Sequence, residues 1–156
     1  MKTSNLILKA FHSKNTDLLV RAFKTYVRPV LEYLSIVWNP CLLKDIDLVE
    51  RVQRRFTKCL FRDKTITYKE RLALLNLESL ELRRLHNDLM MVYSIVKNNI
   101  LPINDFFTIV SNTNRASNSC KLYLTRFRCN ARKFDLCNRV TDIWNDLPKE
   151  LLIHVM

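Results

Sequence analysis

The 156-residue sequence contains no glycine. At an average usage of about 7%, a chain of this length would hold about eleven glycines. The absence excludes the glycine-rich loops that cradle phosphate groups, and it argues against the tight hairpin turns of small β domains. We therefore expect helices that are joined by loops of Asn, Ser, Asp and Pro.

Long apolar runs and paired cysteines are also missing. No run approaches the roughly 20 residues of a membrane-spanning helix, and residues 1–12 lack the apolar core of a signal peptide. The five cysteines form no C-x-x-C pair, which makes a disulfide framework or a zinc site a poor interpretation. The sequence predicts buried, reduced thiols, no metal, no cofactor, no membrane contact, and an intracellular location, nuclear or cytoplasmic. The cysteines are Cys41, Cys59, Cys120, Cys129 and Cys137.

The sequence shows no complete catalytic constellation. Metal-dependent phosphoryl transfer needs clustered carboxylates, and the close pair Asp45 and Asp47 stands at a predicted helix start, where capping is the simpler interpretation. The histidines His12, His86 and His154 are scattered, and no glycine-flanked serine can form a nucleophile elbow. We expect a binding protein rather than an enzyme, with no small-molecule substrate.

The charge that is present is strongly basic. Lys and Arg number 26 against 15 Asp and Glu, for a formal net charge of +11. Such an excess predicts attraction to polyanions. The charge is unevenly spread, because residues 115–139 hold seven basic residues and one acidic residue.

Apolar residues recur at three- and four-residue steps in several segments, as in amphipathic helices. The segments are Thr16–Trp38, which Pro29 should kink or split, then Lys44–Arg62, a short helix from the capping box Thr67–Glu70 to Leu75, and Ser79–Asn98. Residues 121–127 and 132–136 alternate as short strands do. The predicted fold is mainly α, an irregular bundle of four to five helices with a small two-strand element near residues 121–136. We expect a helical bundle over 1–103, a polar loop over 104–119 and a small α+β segment over 120–156 packed on the bundle.

Two groups of basic residues are candidates for nucleic-acid contact. In the Lys44–Arg62 helix, basic side chains recur at i, i+4, i+7 and i+11, and few acids lie among them. In the late segment, arginines alternate with Tyr123, Phe127 and Phe134, a pattern that suits stacking on unpaired bases but is also typical of a core. Plain solvation of the charges is the ordinary alternative. The candidate residues are Arg51, Arg54, Arg55, Lys58, Arg62, Arg126, Arg128 and Arg132.

An ordered set of short motifs covers nearly the whole chain. The set comprises Tyr26-Val-Arg-Pro-Val-Leu-Glu-Tyr33, Val37-Trp-Asn-Pro40, Glu50-Arg-Val-Gln-Arg-Arg-Phe-Thr-Lys58, Leu80-Glu81, Arg83-Arg84, Asp88-Leu89 and Trp144-Asn-Asp-Leu-Pro148. In this order and spacing it resembles the C-terminal part of reverse transcriptases from LINE-type, jockey-like non-LTR retrotransposons.

The resemblance implies a function in nucleic-acid binding. It implies that the chain is a fragment of an RNA-directed DNA polymerase, with residues 1–103 as a thumb that contacts the phosphate backbone of a template–primer RNA–DNA hybrid. The catalytic aspartates of that family have no counterpart here, so no polymerase activity of its own is expected, and the missing palm domain is an implied partner. Arg28, Glu32 and Tyr33 are interpreted as structural, holding the first long helix against the second.

Two other functions stay open. The apolar face of the Thr16–Trp38 segment suits a helical protein-interaction module, or the chain is a decayed, non-functional fragment of the element. A sequence-specific binder of duplex DNA is less favoured, because no helix presents base-reading side chains in the way a recognition helix does.

Overall fold

The computed structural model describes residues 2–11, 15–61, 63, 65–110, 121–124, 126 and 128–148. Over these ranges the protein is helical, which confirms the predicted mainly α class. No described helix is long and apolar enough to cross a bilayer. The helices are α1 (Lys2–Ala10), α2 (Thr16–Tyr26), α3 (Arg28–Glu32), α4 (Ser35–Trp38), α5 (Leu43–Leu60), α6 (Tyr68–Leu74), α7 (Leu80–Val96), α8 (Ile103–Phe106), α9 (Asn130–Lys133) and α10 (Leu136–Asp146).

The chain forms two compact units, Met1–Arg84 (unit 1) and Leu85–Met156 (unit 2). The division between them falls within α7. The division predicted from the sequence, with a polar loop over 104–119, stays a prediction, since residues 111–120 lie outside the described ranges.

The core of unit 1 is built from the apolar faces of α1, α2 and α5. The rings of Phe23 and Phe56 are fully buried and stack with their centroids 4.4 Å apart. Ile7, Leu19 and Val52 pack in the same cluster. Each of these residues lies on the buried face of its helix, so the helical spacing of apolar residues accounts for the packing.

The predicted Thr16–Trp38 helix is broken twice. The side chain of Asn15 caps α2 by accepting from the backbone N–H of Asp17 at 3.0 Å. α2 ends before α3, whose first turn holds Pro29, a residue without a backbone N–H. The second break is at Leu34, which takes the left-handed conformation with φ 51° and ψ 28°.

These breaks overturn part of the predicted core face. Leu19, Ala22 and Phe23 are buried as expected, but the apolar residues that follow Val27 are mostly solvent-exposed. Because the helix is interrupted at Val27, two residues before Pro29, and again at Leu34, one straight helical face does not continue through the segment. The exposed apolar segment, as we call it, comprises Tyr26, Val30, Tyr33, Leu34, Val37, Trp38, Leu42 and Leu43.

Asparagine takes the left-handed positions that often hold glycine after a helix. Asn76 has φ 47° and Asn99 has φ 51°. After α6, the N–H of Leu77 donates to the carbonyl oxygen of Leu72 at 2.9 Å, so one carbonyl oxygen near the C-terminus of the helix has a hydrogen-bond partner. The predicted capping box at the start of α6 is confirmed, with Thr67 and Glu70 bonding each other's backbone N–H.

Unit 2 contains a single isolated bridge between Ile109 and Leu122 in its described residues, and no strand. The predicted two-strand element is therefore wrong. Residues 132–136, expected as its second strand, lie at the end of α9 and the start of α10. The other side of Leu122 is occupied by a side-chain amide, since Asn145 accepts from the Leu122 N–H at 3.0 Å and donates to its carbonyl oxygen at 2.9 Å. A side-chain amide satisfies the backbone N–H and carbonyl groups of one residue only, so it cannot continue the hydrogen bonding as a neighbouring strand would.

The core of unit 2 includes Phe107, Leu122, Leu136, Val140 and Trp144, all of them buried. α10 supplies three of these residues at helical spacing, and its apolar side is the buried one.

Candidate nucleic-acid interface

α5 carries the first group of candidate residues on its exposed side. Its other side is buried through Val52, Gln53, Phe56 and neighbouring positions. The side chains that point to solvent are those expected from the helical spacing, and together they form what we call the α5 basic face: Arg51, Arg54, Arg55 and Lys58. The fifth candidate of this helix, Arg62, lies outside the described residues.

The α5 basic face is only partly neutralised by acids. Arg54 pairs with Asp47 at 3.2 Å, and its guanidinium lies 5.2 Å from the centroid of the Tyr68 ring. Within the described ranges, no carboxylate lies at ion-pair distance from Arg51, Arg55 or Lys58. Exposed ion pairs contribute about 0–1 kcal/mol, so a polyanion can compete with Asp47 for Arg54.

A buried polar network fixes α5 to its neighbours in unit 1. The carboxylate of Glu50 accepts hydrogen bonds from the Leu80 N–H at 3.0 and 3.2 Å and from the hydroxyl of Tyr68. The amide of Gln53 donates to the carbonyl oxygen of Glu78 at 2.8 Å. Burial, followed by the neighbouring Glu50, raises the pKa of Tyr68 well above its ordinary value. The network holds the basic side chains on a rigid helix.

Three further arginines of unit 1 are occupied by the fold. Arg71 is buried and donates to the carbonyl oxygen of Ile66 at 2.6 Å. Arg84 is 1% exposed and donates to the side-chain oxygen of Asn39 at 3.0 Å. Arg83 pairs with Glu32. Arg83 and Arg84 are therefore occupied by contacts within unit 1 and do not extend the set of exposed basic residues.

The hypothesis that Arg28, Glu32 and Tyr33 hold the first long helix against the second is wrong, although the two charged residues do make structural contacts. Glu32 lies 3.8 Å from Arg28 and accepts from Arg83 Nη2 at 3.1 Å. It therefore connects α3 to α7 rather than to the second long helix, α5. The ring of Tyr33 is 71% exposed, although its carbonyl oxygen accepts from the indole N–H of Trp38.

The late group of candidates lies in unit 2. Arg126, Arg128 and Arg132 are all exposed. Of the aromatic residues between them, Tyr123 is 55% exposed, whereas Phe134 is half-buried with the Lys133 ammonium 5.5 Å from its centroid. Phe127 lies outside the described residues. The structure thus brings the late arginines to the surface and leaves Tyr123 as the aromatic residue that is accessible for stacking.

A buried ion pair in unit 2 was missed from the sequence. Arg139 grips Asp88 with two hydrogen bonds of 2.8 and 2.9 Å, and Asp88 is 1% exposed. Asp88 therefore belongs to the buried side of α7, whereas the nearby His86 is exposed. One signal was available, because Asp88 lies four residues after Arg84 and four before Val92, in a buried stripe of α7 that also holds Leu80.

The cysteines that the structure describes are not fully buried, contrary to the prediction, and Cys120 lies outside the described residues. Cys41, Cys59 and Cys129 are exposed, and Cys137 is half-buried. Burial, followed by the nearby Asp135, raises the pKa of the Cys137 thiol to about 11, so this thiol is protonated at neutral pH. In the described part of the chain, no group of three or more His, Cys, Asp or Glu side chains could hold a metal ion.

Comparisons with known protein families, with characterised proteins and with solved structures found no match. The geometry itself therefore carries the argument on function. It provides one rigid helix with a basic face in unit 1 and a second basic, aromatic surface in unit 2.

Proposed function

We propose that this chain is a non-catalytic module that binds nucleic acid, corresponding to the thumb and C-terminal region of a retrotransposon reverse transcriptase. It contacts the phosphate backbone of a template–primer RNA–DNA hybrid in the nucleus or the cytoplasm. It performs no polymerisation itself, because the sequence holds no counterpart of the family's catalytic aspartates. The observation that carries the proposal is the α5 basic face, which is exposed and, among the residues that the structure describes, has a carboxylate partner only at Arg54.

The dimensions of this face suit a row of phosphates. Arg51 and Lys58, with Arg55 between them, are seven positions apart along the helix, which is about 10 Å at roughly 1.5 Å per residue. Phosphates of one strand recur about every 3.4 Å along a duplex axis, so the row extends over about three of them. Contacts of this kind neutralise phosphates and release counterions, which gives affinity without sequence preference.

The test is a titration of the full chain with RNA–DNA hybrid, duplex DNA and single strands at several salt concentrations. We expect hybrid binding with a log–log salt slope of several units. Replacing Arg51, Arg55 and Lys58 together by Gln should lower that slope by roughly 2–3. An unchanged slope would place the contact elsewhere.

A matched control separates the α5 basic face from net charge. Lys9, Arg21 and Lys97 are exposed on other helices and turns, and replacing all three by Gln removes the same charge. This variant should keep most of the slope of the parent chain. The opposite change in charge, Asp47→Asn, releases Arg54 and should raise the slope by up to about 1. Equal losses in the two triple variants would show that general charge, and not this face, drives binding.

A second candidate function, a helical protein-interaction module, is favoured by the exposed apolar segment. Val30 is 73% exposed, Val37 78% and Leu43 84%. Contiguous apolar patches beyond about 300–600 Å² are uncommon on monomeric proteins. The occupant we propose for this surface is the palm domain that the resemblance implies.

This candidate is tested with a separately prepared palm domain of the same class of reverse transcriptase. Calorimetry should detect binding to the parent chain and its loss in Val37→Glu. Leu82→Glu, at a 51% exposed apolar position of α7, is the control and should bind as the parent does. If the chain binds neither the palm nor a hybrid at about 50 mM salt, the decayed-fragment alternative stands.

A further inference from the structure

We infer that unit 2 carries a second nucleic-acid site, which takes one base of a single strand on the ring of Tyr123 and in the cleft beside it. The inference rests on the proposed function only in that both concern nucleic acid. The residues, the unit and the class of strand are different.

The ring of Tyr123 is accessible and stands on a fixed backbone. Its side chain is 55% exposed. Its N–H donates to the carbonyl oxygen of Thr108 at 2.8 Å, and the preceding residue, Leu122, is held on both backbone groups by Asn145. A tyrosine has few rotatable bonds, so a ring on an ordered backbone loses little conformational entropy when a base stacks on it.

A cleft of about 220 Å³ adjoins the ring. Its lining includes Asn104, Asp105, Thr108 and Cys137 as well as Tyr123. This volume is below the roughly 300–1,000 Å³ of pockets that enclose drug-sized ligands, which suits a single planar ring rather than a whole nucleotide. The protonated Cys137 thiol adds no charge to the cleft.

The charges around the ring indicate a polymer rather than a free base. Lys121, Arg126 and Arg128 are exposed on the same stretch of chain, where they can contact the phosphates on either side of a stacked base. Aromatic rings interleaved with basic side chains are typical of single-strand binding, and stacking tolerates any base.

The polar lining of the cleft adds a preference among bases. The carboxylate of Asp105 can only accept hydrogen bonds when ionised, so it favours a base with an exocyclic amino group. Cytosine has such a group, whereas thymine and uracil present a carbonyl oxygen at the same position. Cytosine and thymine are both pyrimidines, and they therefore form a matched pair for a test.

The experiment measures binding of the full chain to labelled oligo(dC) and oligo(dT) by fluorescence anisotropy. We expect tighter binding of oligo(dC). Tyr123→Ala should weaken that binding by about 5- to 150-fold, and Tyr123→Phe should restore it because the ring remains. Tyr33→Ala, which removes a 71% exposed ring from unit 1, is the control and should have no effect.

Asp105→Asn tests the base preference separately. An amide can donate as well as accept, so this variant should narrow the difference between oligo(dC) and oligo(dT). The inference is overturned if Tyr123→Ala and Tyr33→Ala weaken binding equally, if oligo(dC) fails to bind at about 50 mM salt, or if Asp105→Asn leaves the preference unchanged.

The α5 triple variant distinguishes this site from the proposed function. If Tyr123→Ala has no effect while the triple variant lowers the salt slope of hybrid binding, this inference fails and the proposed function stands. If oligo(dC) binding depends on Tyr123 while hybrid binding is absent, the site in unit 2 stands alone.

Discussion

Replacing Glu50 by Gln measures how much one buried carboxylate contributes to the stability of unit 1, in which it connects α5 to its neighbouring helices. Glu50 is 6% exposed and accepts from the N–H of Leu80 and the hydroxyl of Tyr68. Glutamine keeps one carbonyl oxygen, which at the Oε1 position can still accept from both donors, but its NH₂ group then faces the Leu80 N–H from the Oε2 position. The substitution therefore removes a hydrogen bond to a charged group, about 1.5–3 kcal/mol, and an anion at the start of α7, about 0.3–2 kcal/mol.

The neutral amide is easier to bury than the carboxylate, which offsets part of this loss. We expect a net loss of about 2 kcal/mol in the free energy of unfolding. At a urea dependence of about 1–3 kcal/mol per molar, the unfolding midpoint moves by about 1 M. Urea unfolding followed by far-ultraviolet circular dichroism measures the shift, and amide hydrogen exchange at Leu80 locates it.

Glu81→Gln is the matched control for this experiment. Glu81 stands in the same first turn of α7, but its side chain is exposed, so its replacement should change stability by no more than about 0.5 kcal/mol. If the two variants have the same midpoint, the cost of burying the Glu50 carboxylate cancels its hydrogen bonds, and the reasoning is refuted.

Three further predictions concern other polar groups that are buried or half-buried. Burial raises the pKa of Tyr68 in the folded protein above its ordinary value. The stability that the protonated hydroxyl contributes is therefore complete below about pH 10, the pKa of tyrosine in the unfolded chain. It is lost as pH rises from there through the pKa of the folded protein. Urea unfolding between about pH 8 and 11 should show a decline that is weaker in Tyr68→Phe, and identical curves would contradict this. Asp88→Ala leaves Arg139 largely buried without its carboxylate and should cost about 3–5 kcal/mol. A thermal denaturation midpoint equal to that of the parent would refute this cost. Asn145→Asp replaces a donor by an anion opposite a carbonyl oxygen and should cost about 1–3 kcal/mol, with faster amide exchange at Leu122. Unchanged exchange would show that this amide is dispensable.

The elements with simple periodicity could be predicted from the sequence. α5 and α6 follow their apolar spacing and capping box, and the exposure of Arg51, Arg55 and Lys58 follows from helix geometry. That these three side chains have no carboxylate partner in the described ranges depends on tertiary structure, which the spacing does not reveal.

α7 shows why the rest could not be predicted. The spacing of its apolar residues predicts a core face that includes Leu82. Leu82 is 51% exposed, however, and the buried stripe contains Arg84 and Asp88. Charged residues are buried only when they have partners. The partner Asn39 lies 45 residues from Arg84, and Arg139 lies 51 residues from Asp88. Periodicity within one helix holds no information on such distant residues.

The prediction of one continuous buried face over α2–α4 was wrong for a different reason. Apolar side chains at helical spacing predict a buried face, but an apolar face that stays exposed to solvent has the same spacing. The breaks at Pro29 and Leu34 decide the outcome, and only the first has a sequence signal, since leucine rarely takes the left-handed conformation.

Three residues in the described part of the chain have positive φ, and they have a consequence for the unfolded chain. At such positions glycine is the usual occupant, and it gives the unfolded ensemble more freedom than any other residue. With Leu34, Asn76 and Asn99 in its place, the unfolded chain has fewer conformations. This difference raises the free energy of unfolding by about 0.4–1 kcal/mol at each position. At Leu34 this gain opposes a left-handed penalty of roughly 1–2 kcal/mol. A glycine there would remove the strain of the folded backbone but would increase the conformational entropy of the unfolded chain. Part of the stability of this protein therefore comes from the conformations that its unfolded chain cannot adopt.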